Sequence, residues 1–501
     1  MEKNNGYFDD TEDLKALIDD IDEATESLDE EVNQLNRKIE IEKPVEDEIH
    51  INDIDDDFKD VLRRRKIRRM ENNEPLSRVA RKRKLKKWVY FLFAGIVLLI
   101  GLGTFLIIQN NNEKKRLAEE KAIIDNIKSH YYTHAKASKD APIYEKKDNE
   151  YKEIGTIYKD ANFELEDEVI KLDTKYFHIK DLDYYISFED VTKGSEEKKN
   201  ERYKNYLPFN INIVTKEKFT IYNDKDKYIT LNKEMEFPVI INNYENKYYV
   251  VYNDMLVNIS KDDVSKTKEN KNTDKKNQSK MTTLAYHQVC EATDKCTDPY
   301  VSIKKDVFDK QMKYLKDNNY FTLNMDEMYM YLKGYLQVEK GVTITLDDGY
   351  LFKAADEVLD KYGLNATMFV ATGAYSDYEQ FKGLKAIESQ SHTHNMHRNY
   401  VCPGGNQGGA ILCSSKSTIV ADLKKSIEVL DVEPKGMAYP FYDFNENAIA
   451  AVKEAGFKMA FVGRAGVMGR ATPKVTDLYK IPRMTVWEES VMSYSSWKSY
   501  L

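Results

Sequence analysis

The stretch Gly341-Val342-Thr343-Ile344-Thr345-Leu346-Asp347-Asp348-Gly349-Tyr350 sets a β-branched, mostly apolar run directly against two adjacent carboxylates and a glycine. Such a run predicts a strand over 341–347, and in parallel α/β folds chemistry gathers where strands end, which is where Asp347 and Asp348 fall. A tight histidine cluster follows at Ser391-His392-Thr393-His394-Asn395-Met396-His397. One Asp and two His can hold a catalytic metal while the other Asp handles a proton.

Outward from this strand, Thr282–Tyr286 reads as a second strand, and Val307, Phe308, Met312 and Leu315 line one face of a helix at 305–317. Ala354, Ala355, Val358 and Leu359 mark another helix, and Ala366–Ala371 another strand. The alternation continues through a helix near 418–430, a strand at 436–440, a helix at 446–455 and a strand at 458–463. Residues 281–501 therefore form an α/β domain with a parallel sheet, and periodicity alone leaves barrel and open sheet both possible.

A chain of 501 residues exceeds one ordinary domain, and its composition shifts abruptly. Residues 1–60 carry 23 acidic against 6 basic side chains. This tail is expected to be mostly disordered, with Leu14, Leu17, Ile18 and Ile21 spaced for a short amphipathic helix. Residues 61–87 reverse the sign, with 13 Lys or Arg against two Glu. Alone, that would suit nucleic acid, but the next stretch removes the reading and no nucleic-acid partner is expected. From Trp88 to Ile108 there are 21 residues without formal charge, enough for a helix to cross the hydrocarbon core of a lipid bilayer. A cleaved signal peptide fits less well, since the segment starts late and lacks a small-residue cleavage pattern. The basic cluster before the span, against Lys114, Lys115 and Arg116 after it, predicts a cytoplasmic N-terminus with 109–501 outside the cell.

Residues 109–139 read as a helical stalk carrying Leu117, Ile123, Ile124 and Ile127. Beyond it, Ile143-Tyr144, Lys175-Tyr176-Phe177 and Asp190-Val191-Thr192-Lys193 are echoed by Ile221-Tyr222, Lys247-Tyr248-Tyr249 and Asp263-Val264-Ser265-Lys266. The echo predicts two small all-β units, over 140–196 and 205–266. They resemble tandem bacterial SH3-like modules, which implies either contact with the cell wall or a spacer. Residues 267–280 are almost wholly polar and read as a linker. Cys290, Cys296, Cys402 and Cys413 all lie in the α/β domain. Their short spacings suit local disulfides, although three pairings exist.

From about 281 to 490 the chain resembles the polysaccharide deacetylases with a NodB-like catalytic domain (carbohydrate esterase family 4), and in particular their poly-N-acetylglucosamine branch. The first motif is matched by Leu346-Asp347-Asp348-Gly349, the second by Ser391-His392-Thr393 with His397 five positions after His392. The third appears as Ala438-Tyr439-Pro440-Phe441, and an early dipeptide as Tyr286-His287. The resemblance implies a distorted (β/α) barrel. It also implies one divalent metal ion, zinc by default, held by Asp348, His392 and His397. Asp347 would be the general base, His287 the general acid and the Phe441 backbone N–H an oxyanion donor. The implied reaction is N-deacetylation of an extracellular N-acetylglucosamine polymer or of peptidoglycan.

Several positions depart from the pattern. No histidine follows His397, so the general acid falls to His287. Tyr442 stands where relatives commonly carry Gly, and Met437-Ala438 lacks the usual Arg, leaving Arg464 and Arg483 as candidates to orient Asp347. His394 has no role in the family. Gly404-Gly405-Asn406-Gln407-Gly408-Gly409 resembles a phosphate loop in composition only and is expected to be a flexible rim of the cleft. An O-acetyl esterase on the same scaffold and a noncatalytic wall-binding protein are the competing functions.

Overall fold

The buried runs of the α/β domain assemble into one parallel sheet in the spatial order Met459–Phe461, Gly436–Ala438, Ile387–Ser391, Ala366–Val370, Gly341–Leu346, Thr282–Tyr286 and Met484–Thr485. The computed structural model describes residues 77–501 except 197–200, 272–274, 293, 295, 297 and 464–467, with side chains from Trp88 onward. The acidic tail, most of the basic segment and Arg464 lie outside the described residues. Met484 and Thr485 pair with Leu284 and Ala285 at one edge of the sheet, while Ile481 pairs with Phe461 at the other. One short stretch thus joins both edges of a curled sheet, and every strand bearing a motif ends on the same side of it.

The chain separates into two units, Met1–Glu113 and Lys114–Leu501. A helix runs over Ser77–Ser129, and its uncharged segment exposes Phe91, Leu98, Leu99 and Ile107. By length and composition it can cross a membrane. The helical stalk expected over 109–139 stops at Ser129. His134–Ala137 is a strand instead, because Ala135 and Ala137 are wholly buried in the β-rich core and Tyr131 and Tyr132 pack against it.

The β-rich region holds two copies of one strand pattern. In the first, His134–Ala137 pairs with Asn162–Glu164 and Val191–Lys193. In the second, Ile211–Thr215 pairs with Glu236–Pro238 and Val264–Glu269. Asp148-Asn149, Glu245-Asn246 and Asn253-Asp254 each place two residues at positive φ, the backbone that two-residue hairpins need. The other strands of both copies form a single nine-stranded sheet, joined where Glu150–Ile157 pairs with Asp226–Asn232. The copies are therefore fused through backbone hydrogen bonds and share one core.

The segment leading into the second copy is also fastened to the α/β domain. The Arg202 guanidinium donates to the Glu327 carboxylate at 2.7 Å, to Asn365 at 3.0 Å and to the Thr322 carbonyl at 2.8 Å, while the Tyr206 hydroxyl donates to Glu327 at 2.6 Å. Part of the expected polar linker is fastened too. Its first residues continue the strand Val264–Glu269. Asn277 and Gln278 then accept hydrogen bonds from the N–H groups of Val338 and Gly341.

Arg202→Ala would leave the Glu327 carboxylate, 3% exposed, without its main partner. Breaking a fully buried pair costs ~3–5 kcal/mol. With Arg202 31% exposed we expect a smaller loss, about 2 kcal/mol, in denaturant unfolding of the α/β domain. Arg202→Lys should recover only part of it, because Lys cannot reproduce the forked contact.

Candidate active site

Strand 341–346 ends with the Asp347 N–H donating to the Tyr286 carbonyl at 3.0 Å, after which Asp348 and Gly349 turn through positive φ of 72° and 83°. The turn separates the two carboxylates. Asp347 points into the domain, where Arg483 donates to both its oxygens at 2.7 and 2.8 Å. Arg483 is wholly buried and also donates to Thr345 Oγ1 at 3.1 Å and the Val462 carbonyl at 3.3 Å. The Phe369 and Tyr442 rings lie 5.7 and 5.4 Å from its guanidinium. Burial would raise the Asp347 carboxyl, but Arg483, through its charge and its hydrogen bonds, together with the nearby His392 imidazole outweighs it and holds the group below the usual carboxylate range. Asp347 is therefore an ionised acceptor with a fixed orientation. Arg483 is the candidate partner of Asp347 that the structure describes.

Asp348 turns the other way, toward two imidazoles. His397 Nε2 lies 3.1 Å and His392 Nε2 3.6 Å from Asp348 Oδ1. Despite this closeness, Asp348 Oδ1 is buried and accepts no aligned hydrogen bond. Three ligand atoms gathered within 4.8 Å of one another, one of them an unsatisfied buried oxygen, fit a divalent cation. His392 Nδ1 lies 2.8 Å from the Ala438 carbonyl, a contact that places the proton on Nδ1 and leaves the Nε2 lone pair free. Burial pushes His392 down to about 4, so it is neutral, as a ligand must be. Burial opposes ionisation of Asp348 as well, but His397, His287 and His392 around it hold its carboxyl well below the usual range.

His287 follows Tyr286, which is fully buried and fixed between Gln311 and Trp497 at 2.8 and 2.9 Å. His287 Nδ1 is buried without a hydrogen-bond partner. His394 does not join the cluster. Its Nδ1 meets Thr372 Oγ1 at 2.9 Å, and its backbone N–H, with that of Asn395, binds the Asp422 carboxylate at 2.7 Å each. Asp422, which sequence reading missed, thus holds the loop between His392 and His397.

Phe441 and Tyr442 both adopt positive φ, 55° and 60°. The Phe441 ring centroid lies 4.4 Å from that of His397, and its N–H has no hydrogen-bond partner among the described residues. The loop expected to be a flexible rim is folded tightly beside it. Buried Asp443 accepts the N–H groups of Asn406, Gln407 at 3.2 Å and Gly409 at 2.8 Å. Successive backbone N–H groups make an anion-binding concavity, and here the occupant is the chain's own carboxylate. Glycine is required at 405, where φ is +72° and a Cβ would come within 2.4 Å of Asp443 Oδ1. Asn406 Nδ2 in turn donates to the Phe441 carbonyl at 3.1 Å. Cys402–Cys413 closes the base of this loop, and Cys290–Cys296 bridges the loop after His287.

Residues 337–460 match the polysaccharide deacetylase family. A poly-beta-1,6-N-acetyl-D-glucosamine N-deacetylase of Staphylococcus aureus is 28% identical over 209 residues, spanning 38% of this chain and 69% of that protein. Among solved structures, a Streptococcus pyogenes deacetylase in complex with acetate is 22% identical, covering 44% of this chain and 97% of its own with a TM-score of 0.38. IcaB from Ammonifex degensii is 20% identical, covering 45% and 97%, also at 0.38. The chain carries a polysaccharide deacetylase domain, a member of a family of hydrolases. That domain is homologous to the staphylococcal poly-beta-1,6-N-acetyl-D-glucosamine N-deacetylase.

Asp443→Ala should release the 404–409 loop and make it a site of limited proteolysis in otherwise folded protein. Asp443→Asn, which keeps one acceptor oxygen, should be cut more slowly than Asp443→Ala.

Proposed function

We propose that this chain is a membrane-anchored, metal-dependent N-deacetylase acting on an extracellular N-acetylglucosamine polymer, either exopolysaccharide or peptidoglycan. The observation that carries the reading is the buried, unsatisfied Asp348 Oδ1 facing two imidazole Nε2 atoms, beside an Asp347 held ionised by Arg483. Asp348, His392 and His397 would hold a divalent ion, zinc by the chemistry of the donor set, which supplies Lewis-acid polarisation of the acetyl carbonyl and acidification of water. Asp347 takes the proton of the attacking water as its oxygen bonds to the carbonyl carbon. The Phe441 N–H would donate to the oxygen on which negative charge develops. His287 gives a proton to the sugar nitrogen as the carbon–nitrogen bond breaks, so that acetate and a free amine leave. The uncharged helix, the basic residues before it and the two β copies after it support an external enzyme anchored in the lipid bilayer, with the copies as SH3-like modules at the cell wall.

Asp347→Asn should retain bound metal and lose deacetylation by a factor on the order of 10²–10⁴, the usual contribution of a positioned base. His392→Ala should lose both metal and activity. Metal content and acetate release measured on the same samples check this, and full turnover by Asp347→Asn would remove the base assignment.

A further inference from the structure

The two β copies differ in what covers corresponding faces of their shared sheet. Register makes the positions comparable and shifts the sequence echo by one residue: Tyr176 and His178 pair with Ser187 and Tyr185 in the first copy as Lys247 and Tyr249 pair with Ser260 and Asn258 in the second, so Tyr176 matches Lys247 and not Tyr248. In the second copy this face is occupied. Tyr249 and Leu256 pack with Ile240 and Ile241 in a core shared with the α/β domain, and Tyr244 meets Tyr335 of that domain at 5.6 Å.

In the first copy the same face carries a contiguous aromatic surface. His178 stacks on Tyr185 at 4.7 Å, Tyr185 meets Tyr151 at 5.2 Å, Tyr151 meets Tyr176 at 4.3 Å and Tyr176 meets Tyr144 at 4.8 Å. All five residues are partly exposed, with His178 Nε2 itself buried. Tyr151 and Tyr176 line an open groove whose charged groups are Lys146, Lys171 and Lys175 against Glu150, Glu168 and Asp173.

We propose that this tyrosine face binds a strand of acetylated glucosamine polymer, at a site separate from the catalytic one. The substrate class rests on the N-deacetylase reading. Rigid rings with a polar tip suit sugar, whose ring faces are apolar and whose edges carry hydroxyls and amides. The rim pairs three cations with three anions, so it favours an uncharged polymer and gives no handle to a polyphosphate or to a fully deacetylated, cationic chain. The continuous sheet and the Arg202–Glu327 contact fix the face relative to the active site. A chain held at both sites would engage the second as an intramolecular event, raising its effective concentration there.

The test uses full chain in a non-glycosidic detergent, run in affinity gels containing acetylated or deacetylated glucosamine polymer. The variants are Tyr151→Ala with Tyr176→Ala, and separately Tyr176→Lys, which installs the residue that the second copy carries at the matching position. Wild type should be retarded by the acetylated polymer, and each variant should bind it about tenfold more weakly. The ratio of KM on polymer to KM on a short oligomer should rise accordingly. Unchanged retardation in both variants overturns the proposal, as does retardation by the deacetylated polymer alone. It is also overturned if the variants instead abolish binding to wall stem peptides or a concentration-dependent dimer. Polymer binding that the variants weaken, in a protein that releases no acetate, would keep the platform and remove the N-deacetylase reading.

Discussion

The active site depends on the forked ion pair between Asp347 and Arg483. Asp347 ends one central strand, and Arg483 sits in the stretch that joins the two edges of the curled sheet, so closing the sheet and orienting the carboxylate are one interaction. Neither side chain reaches solvent to any useful extent. Two charges taken out of water are tolerated only with near-complete hydrogen bonding, to which Thr345 Oγ1 and the Val462 carbonyl contribute as acceptors, while the Phe369 and Tyr442 rings flank the guanidinium. Tyr442 turns its ring onto Arg483 and adds a wall to that buried pair.

A second constraint follows from having two carboxylates side by side. Consecutive residues of a strand point to opposite faces, and the turn that follows decides where each of these two carboxylates goes. The left-handed turn at Asp348 and Gly349 directs Asp348 to the histidines while Asp347 stays with Arg483. The neighbouring loops are held by the same device, a carboxylate capturing backbone N–H groups. Asp422 does this beneath His394 and Asn395, and Asp443 does it inside the glycine-rich loop. Loops with few apolar residues are thereby given fixed positions.

Much of this was legible in the sequence. The strands at 282–286 and 341–346 and the helices at 305–317 and 353–362 follow directly from apolar spacing. The approach of Asp348 to His392 and His397 follows from the resemblance of the motifs. What was hidden has physical reasons. Ile387–Ser391 is a central strand built from Glu, Ser and Gln, whose polar atoms are satisfied by distant partners such as the Met325 and Gly436 N–H groups. The helix Met325–Lys333 was overlooked although Asn324 and Glu327 form a capping box, a readable start signal. That Arg483 reaches Asp347 depends on chain closure, which no local pattern encodes. Composition misled at 404–409, since glycine there serves a tight wrap around Asp443.

The β copies extend the same logic outward, because a duplicated sheet has one face covered by the catalytic domain and the matching face left as tyrosines. The most direct measurement of the central claim is the simultaneous count of acetate and primary amine released by the full chain from acetylated glucosamine oligomers and from peptidoglycan fragments. It is repeated after chelation and after zinc is restored. One amine for each acetate, lost on chelation and regained with the ion, is the predicted result. Acetate without amine, or turnover indifferent to the chelator, would contradict it.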